Sequence, residues 1–159
     1  MIEHPQLMPE CFADTLLVDM LIGSTSSHKR SITQVFAAFK KEFSNRRAVG
    51  IIDDDKKKDA YYNEFNITEE TDCYRYLAHP NKRHFLIVIK KDLEDLIIKC
   101  AKTADIEHKL LGSVQQLKRV TKDMNVSKNT EVKDLINTLI QKKVKPLVEI
   151  QKILRSHIQ

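Results

Sequence analysis

The chain has 159 residues, 42% hydrophobic and 31% charged, with 27 lysines and arginines against 22 acids for a formal net charge of +5. That is the composition of one globular domain, or one domain with an appendage, able to bury a real core. It excludes a low-complexity polymer and, since no apolar run approaches the ~20 residues of a membrane span, a helical membrane protein.

The N-terminus, Met1-Ile2-Glu3-His4-Pro5, carries neither the basic nor the apolar region of a secretory signal, so the expected compartment is the cytoplasm. Gln6-Leu7-Met8 is a short strand candidate; Pro9, which cannot donate to a ladder, marks its end, and Glu10 follows directly. Cys11, Cys73 and Cys100 are widely spaced and odd in number, which argues against a disulfide framework and a zinc site. From Ala13 to Ile22, Leu16, Leu17, Met20 and Leu21 recur at helical spacing, predicting an amphipathic helix stopped by Gly23, with Asp14 at its first turn. A polar stretch then leads to Ser31, the expected N-cap of a helix through about Phe43 striped by Ile32, Val35, Phe36 and Phe39. His28, Lys29 and Arg30 stand at that helix's entrance, a place for a phosphate or simply a solvated loop.

The most informative stretch is Ala48-Val49-Gly50-Ile51-Ile52 followed by Asp53-Asp54-Asp55 and Lys56-Lys57-Lys58. An apolar, β-branched run stopped by charge reads as a buried strand of a parallel sheet, and ligands of such sheets bind at the carboxyl ends of the strands. Asp53 and Asp55 would project together there, and hard carboxylate oxygens two residues apart suit Mg²⁺ or Mn²⁺. Lys56 and Lys57 could steady a phosphate. The bland alternative is a charged loop after a core strand.

Tyr61 and Tyr62 are candidates for base stacking or for capping a core edge. Tyr74 to Leu77 is a short strand candidate, His79 to Arg83 a turn, and Phe85 to Ile89 a second buried strand. Asp92 opens a helix with its acids in the first turn, although Glu94 could instead face the sheet crest as a further metal ligand. Leu110, Leu111, Val114 and Leu117 form one helical stripe; Thr130 can cap a last helix running past Leu154, which Pro146 should kink or divide. Residues 106 to 159 hold 11 lysines and arginines against 5 acids, a net of +6, leaving the rest of the chain at −1. An acidic region beside a basic one suits a polyanionic partner, and also suits a solvated helix face.

The expected architecture is therefore α/β: a Rossmann-like, mostly parallel sheet of about four strands flanked by helices over residues 1 to 105, with a basic α-helical C-terminal extension over 106 to 159 packed on it.

Glu10-Cys11-Phe12-Ala13-Asp14 before a helix, and Asp53-Asp54-Asp55 after a later strand, resemble the Toprim domain, the topoisomerase/primase fold also found in certain nucleases. The resemblance spans roughly residues 6 to 100. It implies that Glu10 takes the place of the family's glutamate, a general acid/base or metal ligand, with Asp14 four residues on. Asp53 and Asp55 take the place of its D-x-D pair, which holds Mg²⁺. Cys11 stands where the family usually has glycine, Lys58 where many members continue with glycine, and Pro9 interrupts the first strand. The stretch Pro9 to Leu17, with Asp53 to Lys56 and His79-Pro80, also resembles a group of small bacterial proteins to which no function is attached.

The expectation is a metal-dependent nuclease or phosphoryl-transfer protein acting on DNA or RNA, in phage defence or repair, with the basic C-terminal third attracting the nucleic acid. The alternative is a non-catalytic α/β module that docks a protein partner, or a second copy, through its C-terminal helices. A third reading, a receiver-like switch phosphorylated on Asp53 with Lys90 or Lys91 in support, ranks last.

Overall fold

A computed structural model describes residues 2–54 and 57–159. Asp55 and Lys56, both named above, lie outside the described residues. In chain order the elements are β1 (Glu3–His4), β2 (Leu7–Pro9), α1 (Phe12–Ile22), β3 (Thr25–Ser26), α2 (Ile32–Lys40), β4 (Ala48–Asp53), β5 (Asn66–Glu70), β6 (Tyr74–Ala78), β7 (His84–Ile89), α3 (Leu93–Thr103), α4 (Val114–Thr121), α5 (Thr130–Gln141) and α6 (Lys145–Ser156). Five strands form the main sheet in the order β2-β4-β7-β6-β5, while β1 and β3 make a small parallel pair.

The sheet is mixed. β2, β4 and β7 run parallel, but β6 is antiparallel to β7 and β5 antiparallel to β6. The expected mostly parallel sheet of about four strands is corrected accordingly. Its second half is built from hairpins: residues 71–73 join β5 to β6 and residues 79–83 join β6 to β7. Connections that short permit only antiparallel pairing, since a parallel crossover needs a dozen residues or more. β5 escaped notice because every one of its residues is exposed. It is an edge strand with a register shift between Ile67 and Glu69, and its Glu69 and Glu70 blunt an otherwise open edge.

Alternation along the strands divides the core into two layers. Val49, Ile51, Ile87 and Ile89 face one side with Leu7 and Tyr74; Ala48, Ile52, Leu86 and Val88 face the other with Met8. The second side is covered by α2 through Val35, Phe36 and Phe39. Gly50 is needed on that side, because a Cβ there would come within 2.7 Å of Val35 Cγ1 and 2.9 Å of Leu86 Cδ2.

The first side takes α1, α3 and the whole C-terminal helical segment. Leu117, Leu135, Leu139, Leu147, Ile150 and Leu154 share one continuous cluster with Leu16, Leu17 and Leu21 of α1 and Leu96 and Ile97 of α3. The stripe over residues 130 to 154 divides into α5 and α6, with Pro146 in the first turn of α6, where its missing N–H leaves no bond unmade. Lys143, at φ +52°, makes the bend. Helix α2 stops at Lys40 rather than near Phe43, and Phe43 is buried beyond its end.

Among the described residues no helix is long and apolar enough to cross a membrane.

Candidate functional site

Strands β2 and β4 are neighbours in parallel register, Pro9 opposite Ile51. The pairing runs one residue further, with the Glu10 N–H donating to Ile51 O at 3.1 Å. Glu10 and Asp53 therefore leave adjacent strands at the same end of the sheet, and the Asp53 N–H donates to Glu10 Oε1 at 3.3 Å. Asp53 shares its face of β4 with Val49 and Ile51, the face covered by α1.

Asp14 arrives from above. Cys11 caps α1, its Sγ accepting the Asp14 N–H at 3.4 Å, and this turn points the Asp14 carboxylate back at the strand ends. Glu10, Asp14 and Asp53 are all buried, and ligand oxygens from the three lie within 4.8 Å of one another. A trio of hard oxygen donors at that separation can hold a metal ion. The Cys11 thiol beside them is not a competing thiolate: burial, and next the Asp14 charge, push its pKa well above the ordinary thiol value.

Of the three carboxylates, Asp53 lines a cavity of about 270 Å³, together with Cys11, Phe12, Ala13, Asp92, Leu93, Glu94, Lys118, Thr121 and Lys122. Its far wall starts where β7 ends. Asp92 caps α3, Oδ1 accepting the Asp95 N–H at 2.9 Å, and Glu94 is buried in the next turn. Glu94 Oε1 accepts the Thr121 hydroxyl at 2.5 Å, so it lines the cavity without joining the three-carboxylate group.

The three consecutive aspartates separate. Asp53 enters the cluster, whereas Asp54 forms ion pairs with Arg75 and with Lys58, the latter at 2.9 Å. The expected phosphate groups at the entrance of α2 lie elsewhere than the cavity lining. His28 stacks on Phe12 at 4.3 Å and sits 3.0 Å from the Thr15 hydroxyl, and burial lowers its pKa. Lys29 pairs with Glu42 at 3.3 Å, Arg30 is exposed at φ +69°, and Lys57 is exposed beside Ile32 and Thr33. Tyr61 packs on Phe36 and Phe39 and donates to His84 Nδ1 at 2.7 Å, a core-edge role rather than an open stacking platform. Lys90 pairs with Glu70 at 3.4 Å.

Sequence reading placed Asp14 as a helix-dipole acid and, through the resemblance, as the residue four after Glu10, without counting it a metal ligand, and it did not assign Asp92, Lys118, Thr121 or Lys122 to the site. Asp14 had a signal in its spacing from Glu10, four residues on across a helix start. The α4 residues had none, because 65 residues or more separate them from Asp53 in the chain.

Compared with protein-family models, curated proteins and solved structures, the chain matches none of them. What fold and site define is an α/β protein with a buried carboxylate trio at the carboxyl ends of two parallel strands.

Proposed function

We propose that this protein is a Toprim-like, metal-dependent phosphoryl-transfer protein that hydrolyses phosphodiesters of DNA or RNA. The observation carrying this reading is the convergence of Glu10, Asp14 and Asp53, three buried carboxylates with ligand oxygens within 4.8 Å, at the crest of parallel strands. It supports the placement of Glu10 and Asp53 that the resemblance implies; Asp55, the second acid of the D-x-D pair in that resemblance, lies outside the described residues. An oxygen-only donor set of this size suits Mg²⁺ or Mn²⁺.

When bound there, the ion would supply neutralisation of the phosphate's non-bridging oxygens and a water of lowered pKa. Asp53 and Asp14 would hold it, one from the sheet and one from the helix. Glu10, fixed through its contact with the Asp53 N–H, would orient a water or receive its proton. The helix-docking alternative is less well supported, because the apolar stripes of α5 and α6 are already spent on this chain's own core.

The test is cleavage of labelled single- and double-stranded DNA and RNA with Mg²⁺ or Mn²⁺, beside Asp53→Asn and Glu10→Gln variants whose folding is checked. Wild-type cleavage should fall at least 100-fold in either variant, and a metal-induced rise in melting temperature should vanish. No cleavage and no metal-induced rise in the wild type would overturn the reading.

A further inference from the structure

The cavity beside Asp53 takes two lysines, Lys118 and Lys122, from the C-terminal segment. We infer that Lys118 and Lys122 are the residues that hold the substrate's phosphate in this site, an assignment that rests on the phosphoryl-transfer reading above.

Lys118 on α4 and Lys122, the residue that caps its C-terminal end, are four apart, and both line the cavity. α4 is held there by two contacts to the N-terminal turn of α3. Thr121 donates to buried Glu94 at 2.5 Å, and Lys118 Nζ stands 3.4 Å from Asp92 Oδ2. Asp92 cannot follow Lys118 outward, because its other oxygen caps α3. The result is a cavity of about 270 Å³ with Asp53 on one wall and Lys118 and Lys122 on the other, beside Asp92 and Glu94. That is below the roughly 300–1,000 Å³ of pockets that enclose a whole small ligand. A phosphate and its ester oxygens fit, while the rest of a strand stays outside.

Charge logic gives the lysines their task. The acids that line the cavity, Asp53, Asp92 and Glu94, repel a phosphate, so the cations in the same lining are the groups that attract one. Of the residues expected at the outset to hold phosphate, His28, Lys29, Arg30 and Lys57 do not line this cavity. Lys118 is only 36% exposed and loosely paired, so a phosphate oxygen can replace Asp92 as its partner with little rearrangement.

The test is binding of a fluorescently labelled single-stranded oligonucleotide to the full chain, read by anisotropy, with Ca²⁺ replacing Mg²⁺ so that cleavage does not intervene. A Lys118→Gln, Lys122→Gln double variant should bind about tenfold or more weakly, and its slope of log K against log salt should shrink by about one per lysine. Lys118→Arg, Lys122→Arg should keep most of the affinity. Lys145→Gln, Lys152→Gln, which removes the same charge outside the cavity, should change it less than about threefold. Inorganic phosphate should compete with the strand on the wild type and less on the glutamine variant. Unchanged binding in the glutamine variant, or an equal loss in the Lys145/Lys152 control, overturns the assignment. If the wild type still cleaves and Asp53→Asn does not, that failure belongs to the lysines alone. A wild type that neither binds nor cleaves sinks both readings.

Discussion

Gly50 is where a single hydrogen decides the packing of β4 on α2. A methyl group there meets Val35 and Leu86 at 2.7 and 2.9 Å, both inside a core without slack. Gly50→Ala should therefore cost about 1–3 kcal/mol in a denaturant titration, although alanine is otherwise tolerated in a strand. An unchanged midpoint would mean that α2 rides further from the sheet. At the same scale, Asp53 and Asp54 show what one step along a strand does. The strand period of two places the first among the carboxylates and the second in an ion pair with Arg75. Period and polarity made Asp53 readable as a site residue. The partner of Asp54 was not readable, since Arg75 arrives from the next hairpin.

Between elements, the Thr121 to Glu94 hydrogen bond is the link that seats α4 on α3. Both side chains are buried, so Thr121→Val removes a donor and leaves a carboxylate short of one bond at nearly constant volume. The expected loss is about 1–3 kcal/mol by thermal or chemical unfolding. Hydrogen exchange of the α4 amides should accelerate by more than that of β4. Equal acceleration in both would argue that α4 is not a separately seated element. The hairpin half of the sheet makes the complementary point. β6 was legible from its aromatic run, whereas β5 has no buried face and so no alternation to read.

For the molecule as a whole, the C-terminal segment is part of the core. Leu117, Leu135, Ile136, Leu139, Ile150 and Leu154 are each at most 2% exposed, and each burial contributes about 1.5–3 kcal/mol. Their loss matches the ~5–15 kcal/mol by which a domain is stable. A chain ending at Asp105 should fail to fold cooperatively, as a calorimetric scan would show by the absence of a transition.

His157 ties the chain end to the sheet. Arg47, which only donates, reaches Nδ1 at 3.0 Å, leaving Nε2–H to donate to the Tyr76 oxygen at 2.7 Å. That neutral ring is what burial, and then Arg47, favour, lowering its pKa to about 4. Burial lowers His84 in the same direction. A depressed folded-state pKa means that the stabilisation is whole above about pH 6.5 and is lost as pH falls toward 4. The melting temperature should drop across that window, and less steeply in His157→Gln. Parallel slopes would place the acid sensitivity elsewhere.

Local pattern determined the buried strands, most helices and the two acids at adjacent strand ends, because alternation, capping and charge-stopped apolar runs act over a few residues. Only the tertiary structure decided the direction of the edge strands, the entry of Asp14 into the carboxylate group and the arrival of Lys118 and Lys122 opposite it. Those depend on which surfaces bury each other across the whole chain, and neither spacing nor composition encodes that.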